Sequence, residues 1–229
     1  MKLVSTMALL CAAATPALAQ IGNPPSESPY HDVPYKQELT LYGGYFGGGR
    51  GSVGAGPQSA PLVGARYAIR LGGPAEFTAH LARASSSRTV LDPTKPAATR
   101  AIGTTSSALY LMDVGLALNL TGQKSYHRLV PVAAFGLGLA SDVGGKRDSS
   151  GFKVGTPFAL NFGAGLRYVP GGNIAVRLDV MDYLYQLSYP PSFYTVPTGG
   201  TPILAAQAGN NEWTHNPVIT LGVSYLFSR

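Results

Sequence analysis

The sequence predicts an all-β protein: a single antiparallel up-and-down transmembrane β-barrel of about eight strands, with short periplasmic turns and long extracellular loops. Three observations favour this fold class. The chain opens with a segment typical of export, its segments of about ten residues alternate apolar and polar side chains, and short and long connections alternate between those segments. No apolar run approaches the roughly 20 residues that a membrane-spanning helix needs.

The first 19 residues predict a secretory signal peptide. Lys2 precedes an apolar run over residues 8–14, and Ala17-Leu18-Ala19 gives a small-x-small cleavage pattern before Gln20. The single cysteine, Cys11, lies inside this leader, so disulfides and thiolate metal sites are excluded from the mature chain. We therefore expect a signal peptide at 1–19, a Pro-rich periplasmic lead-in at 20–36 and an outer-membrane barrel at 37–229.

Period-two alternation defines the strands. In the clearest segment Phe158, Phe162 and Tyr168 share one face while Asn161 and Arg167 share the other. One face suits lipid, and the other suits a crowded polar interior. Eight segments show the pattern: 39–45, 63–71, 77–81, 112–120, 133–139, 158–168, 174–180 and 219–227. Their inward sides carry many small residues, which indicates a narrow barrel filled by side chains.

The connections between these segments support the barrel. Short turns are expected at 72–74, 121–128 and 170–173, and long polar loops around 47–60, 87–103, 141–156 and 186–214. A soluble β-sandwich also alternates in this way, but here the charged residues fall on the face that a sandwich would bury. Interfacial girdles are the expected place for seven tyrosines: Tyr30, Tyr42, Tyr45, Tyr67, Tyr110, Tyr168 and Tyr225.

Charged residues on the inward faces predict a polar network in the lumen. Pairing the second and third strands across their short turn places Arg70 opposite Glu76 and Arg66 opposite His80. Pairing the sixth and seventh strands brings Arg167 near Arg177, with Asp179 one lumen position away, and the fourth strand adds Asp113. Because an unpaired charge in a confined lumen is costly, we expect a ladder of ion pairs with a modest positive excess. These residues would plug the barrel, or alternatively line a narrow path for small ions or solutes.

The end of the chain resembles a known family. Gly222-Val223-Ser224-Tyr225-Leu226-Phe227 is similar to the terminal strand of the OmpA/OmpX-like small outer-membrane barrels, and residues 165–168 with 174–179 resemble that family's penultimate hairpin. The resemblance implies that Gly222, Tyr225 and Phe227 form a signal for the barrel assembly machinery. Ser228 and Arg229 follow the aromatic residue, which departs from the family pattern. The chain shows no segment resembling the peptidoglycan-binding domain of larger relatives.

The sequence offers few candidate catalytic residues. A lipid-modifying enzyme would use His215 beside Asn216, with Glu212 and a serine of the same loop, Ser188 or Ser192, but no nucleophile stands at a motif spacing. The simpler interpretation is that His215 and Asn216 lead into the last strand. The other histidines are isolated, and the Gly-rich run at 43–49 lacks the features of a phosphate-binding loop. We expect no catalytic, cofactor or metal site.

The expected function is therefore that of a non-enzymatic outer-membrane barrel with a structural or surface-interaction role. The formal charge of +6 is spread over single residues, and export removes nucleic acid from reach. Expected partners are outer-membrane lipid and lipopolysaccharide, periplasmic chaperones and the assembly machinery during biogenesis, and an extracellular partner at loop 186–214, which carries Tyr189, Phe193, Tyr194 and Trp213. A monomer is expected.

Overall fold

A computed structural model describes residues 28–143, 145, 147–195, 201–205 and 209–228. The predicted signal peptide and the first part of the lead-in lie outside these residues. The strands of the described chain are β1 (Tyr30–Asp32), β2 (Gln37–Phe46), β3 (Ala60–Gly72), β4 (Ala75–Ala84), β5 (Ser87–Leu91), β6 (Ala101–Ser106), β7 (Leu109–Asn119), β8 (Lys124–Tyr126), β9 (Leu129–Ser141), β10 (Phe158–Gly171), β11 (Ile174–Ser188) and β12 (Asn211–Phe227). Two 3-10 turns span Ala97–Thr99 and Pro191–Phe193. No described helical segment is long and apolar enough to cross a membrane.

Eight of these strands form a closed antiparallel barrel in the order β2, β3, β4, β7, β9, β10, β11, β12. Each strand pairs with its neighbour in the chain, and β12 pairs with β2 to close the ring. The fold class is thus confirmed as an all-β, eight-stranded, up-and-down barrel. Within the described residues, closure gives each barrel strand a partner strand on both sides.

Alternation of the side chains gives the barrel two chemically different faces. Along β12 every second residue from Trp213 to Phe227 is exposed on the outside, while the residues between them are mostly buried in the lumen. The outside carries a continuous apolar belt, whose members include Leu41, Val63, Leu81, Leu118, Phe135, Phe162, Leu178, Leu221 and Val223. The side chains that are buried in the lumen include those of arginine, glutamate, small and aromatic residues.

The connections divide the barrel into two ends. Residues 73–74, 120–128 and 172–173 form the short-turn end, where glycines at positive φ, such as Gly73 at 54° and Gly172 at 68°, make tight turns. Residues 47–59, 85–108, 142–157 and 189–210 connect strands at the long-loop end. Two loop predictions need correction. The loop predicted at 87–103 contains the hairpin of β5 and β6, and the loop predicted at 186–214 is shorter, because β11 and β12 extend into it.

The described part of the lead-in is more structured than the sequence predicts. β1 pairs with β8, and the N–H of Val33 donates to the carbonyl of Gln123. Val33 and Tyr35 are buried against Val130, Val132 and other apolar residues. The lead-in therefore enters the lumen at the short-turn end.

The placement of Tyr42 in an outer girdle is wrong. Tyr42 shares the inward parity of Glu38 and Thr40 on β2, and it lines a lumen cavity beside Arg66 and Asp179. Tyr45, Tyr67, Tyr168 and Tyr225 do face outward.

Candidate functional site

The middle of the lumen holds a cluster of buried charges from five strands. We call it the lumen ion cluster: Glu38, Arg66, Glu76, Arg167, Arg177 and Asp179. Strand alternation places all six side chains inside the barrel. The register confirms that Arg66 lies opposite His80, Arg70 opposite Glu76, and Arg167 opposite Arg177.

Glu38 is the centre of the cluster. Its Oε2 lies 2.8 Å from Arg167 Nη2 and 3.3 Å from Arg66 Nη1, and its Oε1 lies 3.5 Å from Arg177 Nη1. Three guanidinium groups thus surround one carboxylate whose side chain is completely buried. Sequence reasoning missed this residue. The signal was present, because outward Leu39 and Leu41 require Glu38 to point inward.

Glu76 and Asp179 complete the cluster. Glu76 Oε2 lies 3.1 Å from Arg167 Nη2 and 3.3 Å from Arg66 Nη2, and Asn119 Nδ2 donates to Glu76 Oε1 at 2.6 Å. Asp179 Oδ1 lies 2.8 Å from Arg177 Nη2. Three arginines therefore face three carboxylates. The positive excess predicted from the sequence is wrong, because that count omitted Glu38.

Arg70 has a different role from the one predicted. Although its register partner is Glu76, its Nη1 donates to the carbonyl of Val33 at 3.0 Å, and its guanidinium lies 3.9 Å from the centre of the Tyr35 ring. The Tyr35 hydroxyl donates to Glu76 and accepts from Arg167. Only 4% of Tyr35 is exposed. Arg70 therefore holds the lead-in against the lumen ion cluster, with a cation–π contact in place of an ion pair.

Asp113 belongs to a second, smaller group rather than to the arginine ladder. Its Oδ1 lies 2.9 Å from His80 Nδ1, and its Oδ2 accepts from the Tyr183 hydroxyl at 2.8 Å. Between this pair and the lumen ion cluster lies a cavity of about 30 Å³, bordered by Tyr42, Arg66 and His80. Such a volume holds roughly one or two water molecules.

The long-loop end is closed by a loop cap: Arg88, Asp148, Phe152, Tyr189 and Phe193. The three aromatic rings stack with centroid separations of 5.8 to 6.1 Å. Arg88 pairs with Asp148 and also donates to the Phe152 carbonyl at 3.1 Å. The three aromatic residues join an apolar core with Phe46, Leu62, Leu109 and Leu187 inside the barrel.

The pKa values of two carboxyl groups near the cap are shifted in opposite directions. Burial favours the neutral form of Asp148, but hydrogen bonds from Ser150 and pairing with Arg88 outweigh it, so the pKa of Asp148 is lowered. For Asp142 burial dominates over the backbone hydrogen bonds from Gly155 and Val154, so its pKa is raised.

Two of the four aromatic residues expected to meet a partner at loop 186–214 are buried inside the protein. Tyr189 and Phe193 are buried in the loop cap. Trp213 is exposed, but it lies on the outer face of β12 rather than in a loop. Tyr189 and Phe193 are therefore not available to a partner at this loop.

The candidate catalytic residues do not form one site. Glu212 accepts from the Ser52 hydroxyl at 2.9 Å and the Tyr189 hydroxyl at 2.7 Å, whereas His215 lies on the opposite face of β12. The Ser192 hydroxyl donates to the Ser150 carbonyl at 2.5 Å. Within the described residues, no three His, Cys, Asp or Glu side chains are grouped to hold a metal ion.

The predicted assembly residues lie on both faces of β12. Tyr225 and Phe227 face outward with ring centroids 4.8 Å apart. Gly222 faces the lumen, where an added Cβ would lie 2.8 Å from both the Leu41 carbonyl oxygen and Tyr42 Cβ. Only glycine at this position allows β12 and β2 to approach each other so closely.

These features define a closed eight-stranded barrel with a filled lumen. No family model matches the chain, and no curated protein matches its sequence. Among solved structures it is similar to Neisserial surface protein A (TM-score 0.44, 15% identity, 87% of this chain and 98% of that one) and to Ail of Yersinia pestis (0.41, 12%, 85% and 100%). It is also similar to the outer membrane protein AlkL (0.42, 15%, 90% and 96%).

Proposed function

We propose that this chain is a bacterial outer-membrane barrel with a closed, side-chain-filled lumen, and that it acts as a structural and surface-interaction protein. The short-turn end faces the periplasm and the long-loop end faces outward. The proposal includes a cleaved leader, a monomeric state and assembly through the signal at Gly222, Tyr225 and Phe227.

The apolar belt supports the membrane location. Residues such as Val63, Leu81, Phe135, Phe162 and Leu221 are exposed on the outside of the barrel, in a continuous band around it. A soluble protein rarely exposes so large an apolar surface, whereas a barrel strand in a bilayer requires it. The polar residues lie inside, where strand alternation puts them.

The closed lumen carries the functional proposal. From one end to the other it contains the lead-in with Val33 and Tyr35, then the lumen ion cluster, and then the loop cap. Arg167, at the centre, has no exposed side-chain surface. Among the described lumen residues, Arg66, Arg167 and Arg177 are paired with carboxylates and Arg70 lies over the Tyr35 ring, so no row of unpaired cations lines a path for anions.

Planar-bilayer recording of the refolded mature chain tests this proposal. We expect no resolvable channel events, while an open porin in the same bilayers conducts. The heat-modifiable gel shift of each sample verifies that the barrel is folded. Steady ion conduction by folded protein would overturn the closed-lumen proposal in favour of the narrow pore.

A lipid-modifying activity is the weaker alternative. Glu212 and His215 lie on opposite faces of β12, so they cannot act together on one substrate. The extracellular role rests on the long loops at one end of the barrel, because loops on a rigid scaffold commonly carry recognition. Their exposed surface, rather than the buried Tyr189 and Phe193, would meet a partner.

A further inference from the structure

A polar pair interrupts the outer face of the barrel between β11 and β12. His215 Nδ1 lies 2.6 Å from Asp182 Oδ2, and the His215 side chain is 71% exposed. Along β12 the next outward residues toward the short-turn end are Pro217, Ile219 and Leu221, and the next toward the loops is Trp213. The pair therefore stands at the edge of the apolar belt, where a bilayer places lipid headgroups.

The hydrogen bonds of Asp182 fix the orientation of the imidazole. Asp182 Oδ1 accepts the backbone N–H of Asn216 at 2.9 Å, so both carboxylate oxygens have partners within the wall. When His215 Nδ1 donates to Asp182, Nε2 of the neutral ring becomes a hydrogen-bond acceptor. That acceptor projects outward from the barrel.

An apolar groove of about 320 Å³ lies directly beside the pair. The outward side chains of Phe162, Val180 and Pro217 line it. The groove and the imidazole together offer an apolar trough with one polar atom at its edge. An amphiphile has the matching chemistry, because one end is apolar and the other polar.

We propose that this groove binds a membrane lipid, with an acyl chain in the groove and a headgroup N–H donating to His215 Nε2. A polar atom at a lipid-facing surface is costly without a hydrogen-bond partner, and a donor-bearing headgroup supplies one. The inference rests on the proposed membrane location and adds a specific lipid contact to it.

Trp213 provides a direct probe of this site. It is the only tryptophan of the chain, it is 52% exposed, and it lies two residues from His215 on the same face. Bromine atoms on lipid acyl chains quench tryptophan fluorescence at contact. The experiment reconstitutes the protein in brominated phosphatidylcholine at alkaline pH, and then replaces part of that lipid with unbrominated phosphatidylethanolamine or phosphatidylcholine of the same chains.

The two lipids are both zwitterionic, but only phosphatidylethanolamine carries headgroup N–H donors. We expect phosphatidylethanolamine to displace the brominated lipid about threefold more strongly than phosphatidylcholine does, as one hydrogen bond allows. His215→Ala should bring this ratio to about one. His215→Phe should do the same, because it keeps a ring in place and removes both nitrogens. Tyr168→Phe, which removes an outward hydroxyl from β10, should leave the ratio unchanged.

The outcomes separate this inference from the proposed function. Efficient quenching with equal displacement by the two lipids, or selectivity that survives in both His215 variants, would overturn the lipid site while leaving the membrane location intact. A folded protein that does not float with lipid vesicles in a density gradient would contradict the membrane location itself.

Discussion

The lumen ion cluster and the loop cap both close the barrel, but by different means. The cluster consists of six charged side chains on strands, each held by the alternation and register of the barrel. The cap consists of stacked aromatic rings and one ion pair, contributed by two loops and by β5 of the β5–β6 hairpin. The cluster can therefore open only with the barrel, whereas the cap can detach locally. We expect variants in the two regions to differ in whether stability is lost globally or locally.

The largest effect is expected from Glu38→Gln. This change leaves Arg66, Arg167 and Arg177 without their shared carboxylate inside the barrel, and removing one partner of a buried ion network costs about 3–5 kcal/mol. Urea unfolding in lipid vesicles measures the free energy. Asp92→Asn, in a loop, is the control and should change it little. A loss below about 1 kcal/mol would mean that water screens the cluster.

Tyr35→Phe tests how the lead-in is held. The variant keeps the ring under Arg70 but loses the hydroxyl between Glu76 and Arg167, and a hydrogen bond to a charged group contributes about 1.5–3 kcal/mol. The same unfolding measurement applies. Tyr67→Phe, whose hydroxyl donates to Gln37 on the exposed outer face, should have a much smaller effect. Equal effects of the two variants would show that the Tyr35 hydroxyl is not part of the cluster.

Phe193→Ala tests whether the loop cap, unlike the lumen ion cluster, can be lost while the barrel stays folded. In a rigid core this substitution costs about 3–5 kcal/mol, but the loop that carries Phe193 can detach from a folded barrel. We expect faster proteolysis within residues 189–210 and a smaller loss in the free energy of global unfolding than for Glu38→Gln. Thr195→Ala, at an exposed position of the same loop, is the control. Global destabilisation as large as that of Glu38→Gln would make the cap part of the cooperative barrel.

The smallest effect is a pH dependence of the cap. Because the folded pKa of Asp148 is lowered, its contribution is present above the ordinary aspartate pKa of about 3.9 and is lost as the pH falls through the folded value. The pKa of Asp142 is raised, so its contribution has the opposite sign and favours the folded cap as pH falls. An acid-active protease measures this dependence as the rate of loop cleavage between pH 5 and pH 3. The rise in cleavage rate on acidification should be smaller in Asp148→Asn than in the unmodified protein, and larger in Asp142→Asn. Identical profiles for the two variants would contradict the assignment.

The same contrast explains what the sequence could predict. Strand periodicity and short turns defined the registers of Arg66 with His80 and of Arg167 with Arg177, because a one-residue slip would reverse every side chain. Glu38 was missed and Tyr42 was placed on the outside, although β2 follows the same alternation. The same alternation, applied from Leu39 and Leu41, places both in the lumen.

Tyr35 and the loop cap lie beyond such reasoning. Tyr35 belongs to a proline-rich segment without periodicity, and its position depends on a cation–π contact and two hydrogen bonds to distant strands. Phe152, Tyr189 and Phe193 meet through loop conformations that no local pattern specifies. Long-range packing, rather than propensity, decides these positions.

A double-mutant cycle between Glu38→Gln and Arg167→Met tests most directly whether the lumen is closed and dry. The two side chains are fully buried and their nearest charged atoms lie 2.8 Å apart. In a dry cluster the two substitutions should be strongly non-additive, with a coupling free energy of about 2–3 kcal/mol in vesicle unfolding. Additive effects, within about 0.5 kcal/mol, would show that solvent screens the pair and would contradict the filled lumen.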